Sequence, residues 1–377
     1  MLATTTGSPS TAANGFHLMA RRRIRRAKTV RQILEDRGFE SDVIDEAEQA
    51  GTSELVAIDA LVLTDRPRYT LDQLAEKVDA DPEIIRVFWR MLGFVEPVED
   101  ERIFTKTDIR ILNSLGGLID AGILDPVVSL QMARVLGQTM AQLATAVVDA
   151  TEAQAIVLRD ADDDERSLAI LSEELLPFLS DAVDYSFRRH LRAAARRRVD
   201  LSVHDDGASQ VIGFADLVRF TELSLQLAED ELASVVGRFD ELVHSVVVEH
   251  GGRIVKMIGD AAMFTVIDPV GGAVIALELA AAVEADPSLG GIRIGMASGP
   301  IINRDGDLYG PVVNLASRLV GIGRSGVINV SQELRDGLRG DPRFRLRSLG
   351  HRNLRHIGET RVFRLRPGIS DEPDPST

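Results

Sequence analysis

The sequence predicts an α+β domain in the second half of the chain, preceded by an all-α region. Apolar residues follow helical spacing up to about residue 200, whereas short β-type runs that end in turn signals begin after it. A length of 377 residues is enough for two domains with separate cores. The predicted segments are a disordered tail (1–20), a helical domain (21–163), a linker helix (164–204), an α+β domain (205–366) and a second disordered tail (367–377).

The first half of the chain is predicted to be helical after a tail rich in Thr, Ser, Gly and Ala. Pro and Gly residues separate the periodic stretches, as expected at helix ends. The predicted helices are 33–50, 54–63, 71–78, 81–92, 106–121, 126–149 and 164–198.

Two acidic residues lie at the ends of predicted strands in the second half. Asp216 ends an apolar run and precedes a helix start at Phe220 and Thr221, whereas Asp260 lies in a Gly-Asp turn before a strand predicted over 261–266. Two strand-end carboxylates can hold hard divalent cations such as Mg²⁺, which prefer oxygen ligands and leave positions open for phosphates. The alternative is that Asp216 caps the helix and that Asp260 is only a hairpin-turn residue.

A third segment, 307–318, adds an amide and a guanidinium to this set. Gly310 and Pro311 predict the start of a short helix. Asn314 and Arg318 are four residues apart, so they share one face of that helix and can point at one ligand. Such a pair suits a sugar edge and a phosphate on which charge develops. It also fits an exposed helix face on which the arginine pairs with a nearby acid.

Together the three segments resemble the catalytic domain of the class III nucleotidyl cyclases. The matching blocks stand in the family's order: Phe-Ala-Asp216-Leu-Val-Arg-Phe-Thr, Lys256-Met-Ile-Gly-Asp260 and Asp307-Leu-Tyr-Gly-Pro-Val-Val-Asn314-Leu-Ala-Ser-Arg318. The resemblance covers residues 205–366. It implies a ferredoxin-like fold, in which a central, mostly antiparallel sheet is flanked by helices, and it implies that the region before this domain is regulatory.

The resemblance gives the matched residues catalytic roles. Asp216 and Asp260 correspond to the ligands of two Mg²⁺ or Mn²⁺ ions in each site. Asn314 and Arg318 correspond to the residues that orient the ribose and stabilise the transition state. The implied reaction is an attack of the ribose 3′-hydroxyl on the α-phosphorus, with pyrophosphate as the leaving group.

Lys256 and Asp307 correspond to the pair that reads the purine in this family. A Lys donor and a carboxylate acceptor complement the edge of adenine, whereas guanine would leave both groups mispaired. The predicted substrate is therefore ATP and the predicted product is 3′,5′-cyclic AMP.

The triphosphate contacts are where the chain departs from the family pattern. The family places a lysine near the C-terminal end of the domain, and the matching position here is Ile357. Arg355 or Arg361 would have to replace it, although both also fit solvated strand positions. Backbone N–H groups at the start of the Phe220-Thr221 helix are predicted to receive the phosphates through the helix N-terminus.

The resemblance also implies a homodimer. In the family each site forms between two catalytic domains, and this chain carries both halves of the site once, without internal duplication. The helical half resembles, on few motif residues, the domains that restrain some soluble bacterial cyclases and in some members respond to pH. His190 in the predicted linker helix is a candidate titrating group, or an ordinary helix residue.

Composition limits the classes of function. The net charge of −15 argues against general affinity for nucleic acid, and the absence of cysteine excludes disulfides and thiolate metal sites. No apolar run is long enough to span a bilayer and no signal peptide is recognisable, so the predicted location is cytoplasmic. The basic segment 21–28 is either a peripheral contact with anionic lipid or a solvated tail.

Two alternatives to an enzyme stay open. Residues 69–81 and 82–92 have the spacing of a helix-turn-helix, so the first half could belong to a DNA-binding regulator. The second of these helices carries a mixed set of side chains: Glu83, Arg86, Phe88, Trp89 and Arg90. That set suits packing better than contact with base edges. In the other alternative, the cyclase-like domain binds nucleotide or dimerises without catalysis.

Overall fold

The structure is a computed structural model of the chain. It describes residues 30–36, 39, 41–51, 53, 56, 62–63, 65–158, 175–203 and 209–368. The predicted tail 1–20, the basic segment 21–28, most of the predicted helix 54–63 and residues 369–377 of the second predicted tail lie outside these ranges. The chain divides into two compact units, with the boundary between Ala193 and Ala194.

The described part of the first unit is helical, which confirms the all-α prediction. Its helices, the last of which continues past the unit boundary, are α1 (Val30–Asp36), α2 (Ser41–Ala50), α3 (Leu71–Val78), α4 (Pro82–Met91), α5 (Lys106–Asp120), α6 (Pro126–Leu158) and α7 (Leu176–Val203). The single helix predicted over 33–50 is two helices, and α6 continues nine residues beyond its predicted end. The predicted start of the linker helix lies outside the described residues, and α7 continues to Val203.

The helix-turn-helix-like segment packs on its own aromatic core. The ring of Trp89 on α4 lies 4.5 Å from that of Phe94 and 4.8 Å from that of Phe104, measured between centroids. Arg90 on the same helix pairs with Glu83 at 3.3 Å and also with Glu96. Helix α4 therefore uses Trp89 for packing, and both of its arginines, Arg86 and Arg90, pair with Glu83.

The second unit is an α+β domain around a seven-stranded sheet. Its strands are β1 (Ser209–Leu217), β2 (Arg253–Ile258), β3 (Ala261–Val266), β4 (Ile292–Pro300), β5 (Ile302–Arg304), β6 (Asp307–Tyr309), β7 (Val327–Val330), β8 (Phe344–Leu354) and β9 (Gly358–Pro367). The sheet order is β2-β3-β1-β4-β7-β9-β8, and β5 and β6 form a separate hairpin. Only the β4–β7 pair is parallel, so the predicted, mostly antiparallel sheet is confirmed.

Helices cover both faces of this sheet. They are α8 (Phe220–Ser224), α9 (Glu229–Glu249), α10 (Pro269–Ala285), α11 (Pro311–Gly321) and α12 (Gln332–Gly337). The side chains of β1 alternate between two cores, as a strand requires. Val211 and Ala215 pack with α9 and α10, whereas Ile212 packs with α11. Strand β9 ends at Pro367, one residue inside the predicted C-terminal tail.

Helix α11 lies unusually close to β4 because of a glycine. A Cβ atom on Gly295 would stand 2.3 Å from the backbone nitrogen of Val320, a distance that no side chain tolerates. A second contact, between Gly299 and Val312, supports the first turn of the helix. The close approach fixes the position of α11 on the sheet and with it the position of every side chain on its outer face. None of the helices in the described ranges has the length and apolar content needed to cross a bilayer.

Candidate active site

The two predicted metal aspartates lie together at one end of the sheet. Asp216 is near the end of β1, opposite Ala261 at the start of β3, and Asp260 is in the turn between β2 and β3. The Leu217 N–H donates to the Asp260 carbonyl oxygen at 3.0 Å, which closes the ladder at this point. Burial raises the pKa of Asp260, and the negative charge of Asp216 raises it further, partly opposed by Arg293. The two carboxylates therefore share one electrostatic environment.

Arg293 is a site residue that the sequence analysis missed. It lies on β4 directly opposite Asp216, and its Nε and Nη2 atoms each stand 2.5 Å from the Asp216 Oδ2 atom. The Asp216 side chain is 16% exposed, whereas that of Arg293 is 37% exposed, so the acid is the more buried member of the pair. The signal in the sequence is an arginine among the apolar residues Ile292, Ile294 and Met296, but its partner is decided by strand register.

The donor set fits a hard divalent cation. Asp216 and Asp260 supply carboxylate oxygens, which Mg²⁺ and Mn²⁺ prefer. The Arg293 guanidinium offsets part of the negative charge beside Asp216, and it also favours the ionised form of Asp260. Within the described ranges no three His, Cys, Asp or Glu side chains converge on one point. The chain would therefore supply few ligands and leave the remaining positions to water and phosphate oxygens.

The predicted purine pair is also brought together. Lys256 on β2 donates from Nζ to the Oδ2 atom of Asp307 at the start of β6, although the two residues are 51 positions apart. Burial opposes ionisation of Asp307 and is the largest single effect, but the hydrogen bonds from Lys256 and from the Leu308 N–H outweigh it and lower the pKa of Asp307. Strand β2 is an edge strand, so the pair lies at the rim of the sheet.

The purine pair and Asp216 lie on the same side of the sheet as α11. Asp216 follows Ile212 by four residues along β1, so both side chains leave the same face. Lys256 stands opposite Met263, and Met263 and Ile212 belong to the core beneath α11. The face that carries α11 therefore also carries these candidate site residues.

Asn314 and Arg318 occupy one exposed face of α11, as their spacing predicts. Arg318 makes no ion pair within residues 209–368, so the alternative of an arginine neutralised by a neighbouring acid is not what the fold provides. Both side chains point away from their own core. They are placed to meet a ligand or a second protein chain.

The predicted triphosphate residues are more scattered. Phe220 and Thr221 begin α8, a helix of five residues that follows Arg219 in the left-handed region (φ 69°). Arg355 lies in the turn between β8 and β9, next to the exposed Ile357, and Arg361 lies exposed on β9. Strand β9 is three strands from β1, which is roughly 14 Å across the sheet. Arg355 and Arg361 therefore lie on a different part of the sheet from the Asp216 of their own chain.

Comparison with known proteins agrees with this geometry. Residues 206–366 match the family model described as the adenylate and guanylate cyclase catalytic domain. An adenylate cyclase of Glutamicibacter nicotianae is 31% identical over 78% of this chain and 78% of its own length. An adenylate cyclase of Streptomyces coelicolor is 34% identical over 70% of each chain. A pH-sensitive adenylate cyclase of Mycobacterium tuberculosis is 29% identical over 92% of this chain and 89% of its own.

The chain belongs to the class III adenylyl and guanylyl cyclases.

Proposed function

We propose that this cyclase is a homodimeric adenylyl cyclase that converts ATP to 3′,5′-cyclic AMP and pyrophosphate at sites shared between two copies of the chain. The observation that carries the proposal is the position of two carboxylates, Asp216 near the end of β1 and Asp260 in the turn before β3, where the charge of Asp216 contributes to a raised pKa of Asp260. The named adenylate cyclases to which the chain is similar over most of its length support the choice of activity.

Each site residue has a separate role in the proposed reaction. Two Mg²⁺ or Mn²⁺ ions on Asp216 and Asp260 would supply acidification of the ribose 3′-hydroxyl and neutralisation of the triphosphate. Asn314 holds the ribose by hydrogen bonds. Arg318 donates to the α-phosphoryl oxygens, where negative charge grows as the 3′-oxygen bonds to phosphorus and the bond to the β-phosphate oxygen breaks. Arg293 holds the Asp216 carboxylate in position on the floor of the site.

A second copy of the chain is proposed because the candidate groups lie on separate parts of a single copy. Arg355 and Arg361 stand three strands from Asp216 in the sheet of a single chain. Asn314 and Arg318 face outward from α11 rather than toward their own sheet. Two copies related by a two-fold axis would supply metal ligands from one chain and ribose, purine and triphosphate contacts from the other, twice over.

Purine selection gives the first test. We expect the full chain to form cAMP from ATP with Mg²⁺ or Mn²⁺ and to use GTP poorly, because guanine leaves Lys256 and Asp307 mispaired. Lys256→Glu combined with Asp307→Cys is expected to lower kcat/KM for ATP by roughly 10²-fold and to reduce the ratio of kcat/KM for ATP to that for GTP, since both hydrogen bonds to the adenine edge are lost. The measurement is product formation from each nucleotide under each metal.

The matched control is Arg238→Gln combined with Asp286→Asn, which removes another ion pair of the same domain (2.6 Å) away from the site. It should leave the ratio of ATP to GTP use unchanged. Unchanged ATP preference in the Lys256 and Asp307 variant would refute the purine assignment. ATP binding without any product under either metal would instead favour a non-catalytic nucleotide-binding regulator.

The helical half is proposed to regulate the catalytic half. The boundary between the two units falls inside α7, so one continuous helix belongs to both, and His190 lies exposed on it. Similarity to a pH-sensitive adenylate cyclase over 92% of this chain points to pH as the signal. We expect the curve of cyclase rate against pH to differ between the full chain and a fragment that begins near residue 200. Curves of the same shape would rule out pH-dependent control by the helical half.

A further inference from the structure

Positive charge is concentrated in one short part of an acidic chain. Residues 318–366 contain twelve arginines, whereas the whole chain has a net charge of −15. The same stretch has four acidic residues: Glu333, Asp336, Asp341 and Glu359. The local net charge is therefore +8, and the remainder of the chain carries −23. Such a segregation of charge needs a physical reason.

Four of these arginines form a compact square on the β8–β9 hairpin. In the strand register, Arg345 stands opposite Arg366 and Arg347 stands opposite Arg364. Cross-strand partners leave the same face of a sheet about 5 Å apart, and residues two apart along a strand share that face about 7 Å apart. We call Arg345, Arg347, Arg364 and Arg366 the arginine face. The residues between them, Leu346 and Leu365, point to the opposite side and pack in or against the core.

Within residues 209–368, which the structure describes, no acid compensates the arginine face. None of its four members makes an ion pair among residues 209–368, whereas two other arginines of the same stretch have carboxylate partners, Arg335 with Asp336 and Arg343 with Asp341. Like charges directly opposite each other destabilise a sheet. The Nε atom of Arg364 is buried and has no acceptor in the described part of the chain, so packing rather than an ion pair holds this guanidinium.

The chemistry of the face identifies its ligand. Guanidinium groups bind phosphate oxygens in bidentate fashion and keep their charge at every accessible pH. Sites for single-stranded nucleic acid add aromatic side chains on which bases stack. The two phenylalanines of this hairpin, Phe344 and Phe363, are instead buried in the core on its other side. A short chain of linked phosphates matches two rows of guanidinium groups and requires no stacking platform.

We propose that the arginine face binds an oligophosphate chain, either the triphosphate of a nucleotide or a free inorganic oligophosphate, at a site separate from the catalytic one. The face lies about 20 Å along β9 from the turn that carries Arg355. It also lies three strands from Asp216. The proposal does not depend on the proposed catalytic activity, since its ligand is bound and not converted.

The test is a calorimetric titration of the full chain with sodium tripolyphosphate. The buffer contains EDTA and about 0.15 M salt, at which exposed charges are partly screened. We expect one tripolyphosphate per chain. Arg345→Gln, Arg347→Gln and Arg366→Gln combined should weaken binding at least about tenfold, because three charge-assisted contacts are lost. The control combines Arg324→Gln, Arg339→Gln and Arg352→Gln, which removes the same charge from exposed arginines of the same stretch, and should change binding less than about threefold.

Titration with ATP separates the two sources of the ligand. If ATP competes with tripolyphosphate, and if the arginine-face variant binds ATP more weakly, the ligand is the triphosphate of a nucleotide. If only tripolyphosphate binds to the face, the ligand is a free oligophosphate. The proposal is overturned if tripolyphosphate does not bind or if both triple variants lose affinity equally. It is also overturned if a single-stranded oligonucleotide or vesicles of anionic lipid bind the face more tightly than either phosphate chain.

Discussion

Asp216→Asn should reduce cAMP formation by roughly 10³-fold or more while leaving the fold intact, because a neutral amide cannot replace an anionic ligand of a divalent cation. The side chain is not part of an apolar core. Its loss removes one ion pair with Arg293, whose side chain is 37% exposed and can turn toward water. The measurement combines the cyclase rate with Mg²⁺ and Mn²⁺ and the thermal unfolding temperature of the same preparation.

The control for this variant is Asp286→Asn. Asp286 is 21% exposed and pairs with Arg238 at 2.6 Å, so it matches Asp216 in burial and in partner but lies outside the site. Asp286 also accepts hydrogen bonds from Ser288, so this variant should lose at least as much stability and still keep its activity. Turnover by Asp216→Asn within tenfold of the unaltered chain would remove Asp216 from the metal site.

Mixing two inactive variants should restore activity if the sites lie between chains. Asp216→Asn breaks the metal half of a site, and Arg318→Ala breaks the half that stabilises the transition state, each with a loss of at least about 10²-fold. In a mixed dimer one of the two sites draws both of its halves from unaltered residues. Random association makes half of the dimers mixed, so the mixture should reach about one quarter of the unaltered rate. The measurement is the rate at equal chain concentrations after subunit exchange.

A second mixture serves as the control for the dimer. Asp216→Asn and Asp260→Asn both affect the metal half, so no combination of these two chains contains an intact site. This mixture should stay inactive. Recovery in both mixtures, or in neither while each variant still dimerises, would contradict a site shared between two copies in the proposed way.

Local patterns in the sequence predicted local structure well. The helix predicted over 71–78 is observed with those bounds, because Thr70 and Gln73 form a capping box that fixes its start. The strand predicted over 261–266 is also observed with those bounds. Asn314 and Arg318 share a helix face because four residues make about one turn. In each case the deciding interaction lies within a few residues of the chain.

Features set by strand order and register could not be predicted in the same way. The pairing of Arg293 with Asp216 joins residues 77 positions apart through neighbouring strands, and no spacing rule encodes it. The separation of Arg361 from Asp216 depends on the order of seven strands, which the sequence pattern does not specify. The break within the predicted helix 33–50 was missed because the stop and start signals at Gly38 and Ser41 were not weighed against the apolar residues on either side. The roles of the matched site residues remain predictions that the variants above will decide.

The contact between Arg293 and Asp216 has a consequence for how the protein survives without cations. A protein whose acidic cluster is left bare is strained by repulsion and often folds only after its ion arrives. Here the Arg293 guanidinium already offsets the charge of Asp216, so we expect the protein to stay folded when divalent cations are removed with a chelator. Cyclase turnover should then depend on the supply of the cation while the amount of folded protein stays constant.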